Sequence, residues 1–447
     1  MKPLTIAYLP IGVGTFHLES AKAIFQASLE VLHSFNLPIM TPNHILLTLE
    51  DVQTFLQDLD PQYLIIQNVT FANSAYTAQI IRHCNVPVIL WSVPEPVIDG
   101  GRLRLNSLTG AYSAGNILAS LSPFSPLFLY GSPRNSATQQ QLSIYLKAIE
   151  VKHQLQGMTM ATVGHTPQGF GFGQAMESEL LRDFGVMLIN TEAGNLMELA
   201  KSVSDEKAKA YLKDHTQMMI NMDTLVPNNV INFAKLALVY QDYVKTNQIK
   251  ALASRCWPDF FTNFGTPVCA VLGVLNDLGV AASCEADIYG ALSMFIGIQL
   301  SGQAVFFGDP VSIDQEENTM TYWHCGTAAC SLAHPQTKAT MGVHPNRKIG
   351  PVMDFGVKPC EEVTVFRIGR KPDGKPRFFI MEGRVLDKPK QFQGTSAVVQ
   401  ISQPILQLTQ KTIEAGWEPH FVIIYAPVVE ELKALAKLLG IEICHYA

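Results

Sequence analysis

At 447 residues the chain is too long for one ordinary domain and leaves room for about two to four. With 47% apolar and 16% charged residues it can bury a large core, and a formal charge of −6 with no basic run argues against nucleic acid as the main partner. No apolar stretch reaches the roughly 18 residues of a spanning helix, and Met1-Lys-Pro-Leu-Thr-Ile-Ala-Tyr-Leu-Pro10 reads as a short strand broken by proline rather than a signal sequence. The expected compartment is therefore the cytoplasm, with no membrane partner.

In chain order, residues 4–9, 63–67, 86–91 and 126–130 read as strands, with helices predicted at 18–34, 73–83, 108–120 and 137–152. That alternation predicts a doubly wound parallel sheet in an N-terminal α/β domain, residues 1–152. A second alternation starts at Met158, breaks at the glycine-rich loop 164–173, and continues through helix 175–183 and strand 186–190. It runs on through helix 228–246, strand 249–254 and helix 266–277 to a strand end at 279–283, predicting a second doubly wound α/β domain at 153–302. Beyond it, segments 304–308, 319–323, 362–368, 376–384 and 395–400 look like strands, with helices only at 404–415 and 428–439. This is the texture of a mostly β, barrel-like C-terminal domain, residues 303–447. The eight cysteines are scattered without a Cys-x-x-Cys pair, so they are expected to be reduced core or near-site residues rather than a disulfide framework or zinc ribbon.

Within this frame, Ser283-Cys-Glu-Ala-Asp-Ile-Tyr-Gly-Ala-Leu-Ser-Met294 places Glu285 where an apolar strand hands over to a helix, at the end of an open α/β sheet where ligands bind. Asp309 follows another short apolar strand, and His420 precedes the strand Phe421-Val-Ile-Ile-Tyr425. Two carboxylates and an imidazole suit a hard divalent ion. Each also has an ordinary reading. Glu285 fits a helix-start carboxylate, although Asp287 can cap instead; Asp309 fits a turn residue before Pro310; His420 fits a strand-edge histidine. Arg255 and Trp257, in Ser-Arg-Cys-Trp-Pro, also lie past a strand end. A guanidinium there can hold sugar hydroxyls or an anionic substituent, and an indole can stack on a sugar face; the ordinary reading is a core tryptophan beside a surface arginine. His324, in Trp-His-Cys-Gly-Thr327, is read as substrate-binding, with metal contact left open. Gly-Val-Gly-Thr at 12–15 and Gly169-Phe-Gly-Phe-Gly173 lack a full phosphate-binding pattern and read as loop geometry.

Arg255-Cys-Trp-Pro, Cys284-Glu-Ala-Asp-Ile-Tyr-Gly-Ala, Gly308-Asp309 and Trp417-x-x-His420 followed by a strand and helix, taken in this order, resemble the L-fucose isomerase family, with L-arabinose isomerases as more distant relatives. The resemblance implies a three-domain aldose-ketose isomerase working through an enediol, with Mn²⁺ as cofactor (Mg²⁺ or Co²⁺ as substitutes) held by Glu285, Asp309 and His420. The two carboxylates would double as acid/base catalysts. It also implies substrate contact from His17 in the first glycine loop, and from Trp91 as an aromatic reaching a neighbouring subunit's site in a homo-oligomer, a hexamer or trimer. Ser254 stands where the family has a glutamine. At 447 residues the chain is a short member, so the sugar stays open among L-fucose or D-arabinose, L-arabinose, and a sulfonated or phosphorylated hexose. A non-catalytic sugar-binding protein and a metal-dependent sugar epimerase or aldolase are the rival readings.

Overall fold

Alternating apolar strands and amphipathic helices build the first sheet of the computed structural model, which describes residues 3–447. Its strands are β1 (Ile6–Ile11), β2 (Ile39–Met40), β3 (Tyr63–Asn68), β4 (Val88–Ser92) and β5 (Leu127–Tyr130), all parallel, in the order β2-β1-β3-β4-β5. The connecting helices are α1 (Leu18–Ser34), α2 (Leu49–Leu56), α3 (Ser74–His83), α4 (Ser107–Leu121) and α5 (Ser136–Leu155). β1, β3 and β4 are buried at every position, as expected of parallel strands covered on both faces. Leu9, Leu64, Ile66 and Leu90 join Leu56, Ile80 and Leu118 of the helices in one apolar core. Each such side chain contributes roughly 1.5–3 kcal/mol by leaving water.

The second sheet is also parallel: β6 (Thr159–Val163), β7 (Met187–Thr191), β9 (Ile249–Ser254) and β10 (Ala281–Ser283), ordered β10-β9-β6-β7. Between them run α6 (Glu177–Phe184), α7 (Ala193–Ser202), α8 (Asp205–His215), the two-residue β8 (Met219–Ile220), α9 (Pro227–Thr246) and α10 (Cys269–Asp277). α11 (Ile288–Ser301) follows β10 and is buried almost throughout, the mark of a helix packed on all sides.

The remaining chain adds β11 (Phe306–Asp314), β12 (Thr319–His324), β13 (Ala339–Gly342), β14 (Val352–Met353), β15 (Cys360–Arg370), β16 (Pro376–Val385), β17 (Thr395–Gln400), α12 (Ile405–Glu414), β18 (Phe421–Ile424), α13 (Val429–Leu439) and β19 (Glu442–Tyr446). Strands β15-β18-β11-β12-β17-β16 close through the β15–β16 pair into a six-stranded antiparallel barrel, and β19 adds to β16 in parallel. Closure removes the free edges of these six strands. The α/β fold with two parallel sheets and a C-terminal β-barrel agrees with the sequence reading.

Two compact units divide the chain: one runs to His153 and takes in Glu430–Ile441, and the other comprises Gln154–Val429 with Glu442–Ala447. The second parallel sheet and the barrel therefore share a unit. Besides the ten-residue α7, the elements the sequence did not reveal are short or polar. α2 is eight residues long, β8 and β14 have two each, and α8 (DEKAKAYLKDH) carries too few apolar residues for a clear period.

Candidate active site

The second sheet reverses its direction of winding between β6 and β9, so a crevice opens at the carboxyl ends of these strands. Three segments leave the sheet there: the glycine-rich loop after β6, Arg255–Trp257 after β9, and Glu285 after β10. Glu285 and Ala286 both adopt left-handed backbone, with φ of 58° and 52°. This costs non-glycine residues roughly 1–2 kcal/mol each. The turn is held by two main-chain bonds, Ala286 N–H to the Ser254 carbonyl (3.0 Å) and Asp287 N–H to the Cys284 carbonyl (3.1 Å). Asp287, not Glu285, caps α11, accepting from Gly290 N–H at 2.8 Å. Glu285 is thus left to the crevice, with its Oε1 accepting from the Trp257 indole N–H at 3.0 Å.

The barrel brings the other two ligand candidates to the same place. Gly308 on β11 pairs with Phe421 on β18 in antiparallel register, which sets Asp309 opposite His420. His420 Nε2 lies 3.0 Å from Glu285 Oε2 and 3.3 Å from Asp309 Oδ1. Its other ring nitrogen, Nδ1, lies 2.8 Å from Asp287 Oδ2. Asp309 is a strand residue paired with Trp323 rather than a turn residue.

Asp287 is fully buried, and the guanidinium of the equally buried Arg367 on β15 grips it through both Nη atoms. Burial opposes its charge, but Arg367 and His420 outweigh that and hold the carboxyl far below the usual carboxylate range. For Glu285, burial likewise opposes the charge, but the His420 bond, with the nearby His324 and the Trp257 N–H, outweighs it and lowers the carboxyl overall. Asp309 has no such bond, so burial prevails and raises it. His420 is pushed up to about 9: burial disfavours its charge, yet the bonds to Asp287 and Glu285 and the charge of Asp309 prevail.

This donor set fits a divalent cation. With Nδ1–H given to the ionised Asp287, a neutral His420 turns the lone pair of Nε2 toward two carboxylates, and only a proton or a metal ion reconciles three converging acceptors. Carboxylate-oriented histidine is the common outer arrangement of metal-binding imidazoles.

His324, at the end of β12, is buried, and a ring nitrogen falls within 4.8 Å of ligand atoms of Glu285 and His420. Its Nδ1 accepts from Cys325 N–H at 2.9 Å, while Nε2 has no hydrogen-bond partner among the described residues. Burial works against its charge, but Cys325, Asp309 and Glu285 push it up to about 10. The Sγ atoms of Cys269, Cys284 and Cys325 lie mutually within 4.8 Å, all buried, and all eight cysteines are free.

Arg255 directs its Nε–H to Asp259 (2.7 Å) and the Trp257 carbonyl (3.3 Å). His17 and Trp91 belong to the first unit. His17 caps α1 and contacts Ser20 Oγ at 2.8 Å, and Trp91 is wholly buried in β4 with its indole N–H on the Gly131 carbonyl at 2.9 Å. The sequence did not mark the roles of Asp287 and Arg367 behind His420, nor those of Phe170 and Phe172. The ring of Phe172 meets His420 edge-on at 5.2 Å, and that of Phe170 meets Trp257 at 5.7 Å. Alternating glycine and phenylalanine in the loop was the available signal for these aromatics.

Residues 323–447 match the model of the L-fucose isomerase C-terminal domain. Over 442 residues the chain is 54% identical to a sulfoquinovose isomerase of Clostridium sp. (strain MSTE9), covering 99% of both chains. The chain belongs to the L-fucose isomerase family, as a short member grouped with the sulfoquinovose isomerases. It is also 37% identical over 447 residues to a sulfoquinovose isomerase of Priestia aryabhattai (99% of each chain). To that of Alkalicoccus urumqiensis it is 35% identical over 446 residues, covering 98% of this chain and 99% of the other. A solved galactofuranose binding protein aligns over 68% of this chain and 90% of its own at 12% identity, with a TM-score of 0.18, too low to bear on the fold. Among the described residues no helix is long and apolar enough to cross a membrane.

Proposed function

We propose that this family member is a metal-dependent aldose-ketose isomerase whose substrate is a sulfonated aldohexose of the kind its relatives are named for. The observation that carries the reading is the convergence of Glu285 and Asp309 on Nε2 of His420, with Asp287 holding the far side of the ring. Glu285, Asp309 and His420 would hold a hard divalent ion such as Mn²⁺, which supplies Lewis-acid polarisation of the two substrate oxygens at C1 and C2.

Moving a carbonyl from C1 to C2 requires taking the C2 proton and returning it to C1. Glu285 and Asp309 serve as the acid/base pair: Glu285 is ionised and ready to accept, whereas the raised affinity of Asp309 for its proton suits it to donate. The Trp257 N–H holds Oε1 of Glu285, so it is Oε2, 3.0 Å from His420 Nε2, that faces the site. Nε2 of His324, buried and without a partner among the described residues, is placed to donate a hydrogen to a sugar oxygen. Phe170 and Phe172 keep water from the enediol.

The test is turnover of sulfoquinovose followed by NMR, with and without chelator, for the wild type and for Glu285→Gln and Asp309→Asn. Activity lost in chelator and restored by Mn²⁺ is expected, with both variants folded but inactive. Full activity in chelator overturns the metal assignment, and a near wild-type rate in either variant overturns that residue's role. In D₂O, deuterium should enter the C1 position of the ketose; complete retention of the C2 hydrogen at C1 would instead indicate hydride transfer.

A further inference from the structure

Cations around the site are mostly neutralised: Arg255 by Asp259 at 2.7 Å, Arg367 by Asp287, Arg370 by Glu179 at 3.3 Å, and Lys390 by Asp354 at 2.7 Å. Arg347 is different. It lies in the loop joining β13 to β14, half-buried, and among the described residues no carboxylate comes within ion-pair distance of its guanidinium. Its Cζ instead lies 5.1 Å from the ring centre of Trp257 and 5.0 Å from that of Phe261. Contact with ring faces satisfies the π-surface of a guanidinium but none of its five N–H donors.

The loop is fastened in place. His344 is buried, meets the Phe261 ring edge-on at 5.0 Å, and its Nδ1 accepts from the main-chain N–H groups of Asn346 (3.3 Å) and Arg347 (3.4 Å). A cleft lined by Trp323, Pro345, Asn346 and Gln393 opens beside it. The same indole that carries Arg347 on its face donates its N–H to Glu285. A fixed cation with unspent donors therefore stands one tryptophan ring away from the carboxylate that faces the reacting carbons.

We propose that Arg347 is the residue that holds the sulfonate of the substrate, with Trp257 setting the span between the anion and the reacting end. A sulfonate is the anion of a strong acid and stays charged at every pH of interest. Its three oxygens accept the forked pair of N–H donors that a guanidinium presents. The inference rests on the proposed reading of the site as a sulfonated-sugar isomerase.

The experiment compares wild type, Arg347→Gln, Arg347→Met and Arg347→Lys, with kcat/KM measured on sulfoquinovose and on glucose, its uncharged counterpart. The ratio of the two values should fall by about 100-fold in Arg347→Gln and Arg347→Met, chiefly through KM on the sulfonated sugar. Arg347→Lys should recover part of it, since lysine restores the charge without the fork. Methanesulfonate should compete with the sulfonated substrate in the wild type and not in Arg347→Gln. A ratio within threefold of wild type in a folded Arg347→Gln or Arg347→Met overturns the assignment. Should glutamine or methionine prevent folding, a wild-type ratio in Arg347→Lys together with no competition by methanesulfonate in the wild type overturns it. Failure of the wild type to isomerise sulfoquinovose would count against the proposed function. Methanesulfonate binding, measured by NMR in wild type and variant, then decides on Arg347 by itself.

Discussion

His420 Nδ1 stands 2.8 Å from the Oδ2 of Asp287, and this contact decides which ring nitrogen faces the site. Asp287 also caps α11 and accepts both Nη groups of Arg367, so one buried carboxylate joins the helix, the barrel and the imidazole. Asp287→Asn keeps the shape but removes the charge. It should weaken Mn²⁺ binding and turnover by about 10–100-fold through a misoriented His420. It should also destabilise the fold by about 3–5 kcal/mol, because Arg367 is left buried without a counter-charge. Calorimetric metal titration and denaturant unfolding measure the two losses separately.

Metal binding is expected to release a proton at neutral pH. Without an ion, His420 stays protonated up to about 9, so an ion taking Nε2 must displace that proton. Affinity for Mn²⁺ should therefore rise by about tenfold per pH unit from neutrality and level off near pH 9. Titration calorimetry in buffers of different ionisation enthalpy counts the proton directly. A pH-independent affinity across this range would show that Nε2 does not bind the ion.

Gly290, in the first turn of α11, has no room for a side chain. An added Cβ would sit 2.6 Å from Asp287 Oδ2 and 2.7 Å from the Phe307 ring, itself packed on His420 with centroids 4.7 Å apart. Gly290→Ala should cost about 1–3 kcal/mol of stability by overpacking and lower kcat by moving both supports of the imidazole. Thermal unfolding and steady-state kinetics on the one variant check both effects.

Lys152 on α5 offers a test that does not depend on the proposed chemistry. Burial lowers its pKa from 10.5 to about 8, with the ammonium resting on the Leu438 carbonyl at 2.5 Å and the Phe124 ring. Between about pH 8 and 10.5 the unfolded chain binds more protons than the folded one, so this group's contribution to stability rises with pH through that window. Below pH 8 the full cost is present, about 3 kcal/mol. Lys152→Met should stabilise the protein at pH 7 by about 1–3 kcal/mol, an advantage that disappears above roughly pH 10.5. Urea unfolding at several pH values measures it.

What the sequence disclosed depended on whether a residue's role was local. Glu285 could be placed because an apolar strand and an amphipathic helix meet around it, and the cap alternative could be weighed because Asp287 stands two residues on. The partnership of Asp287 with His420 could not be read, since 133 positions separate them and only the packing of α11 against β15 and β18 joins them. Arg367 looks like one more polar residue in a strand that also carries Glu361, Glu362, Thr364 and Arg370, and nothing local marks it as the buried one. Arg347 sits in a stretch of Pro, Asn, Arg and Lys that reads as a solvated turn, and its meaning comes only from the two rings beneath it. The glycine-rich loop was legible as a loop, while the partners of its phenylalanines, Trp257 and His420, lie 87 and 248 positions on and could not be read locally.

Asp309 and His420 are anchored on adjacent strands of a barrel that has closed on itself, where a change of register in one strand must be absorbed by all six. Arg347 rides on a hairpin loop outside that ring. Loops tolerate insertion and exchange far better than closed ladders do. If Arg347 holds the charged tail as proposed, exchanging residues around it should retarget the scaffold to sugars with different tails without moving Asp309 and His420. Directed evolution aimed at new substrates has its most permissive ground at the exposed positions Asn346 and Lys348 beside Arg347, whereas the buried His344 and the tightly packed Gly350 hold the loop's shape.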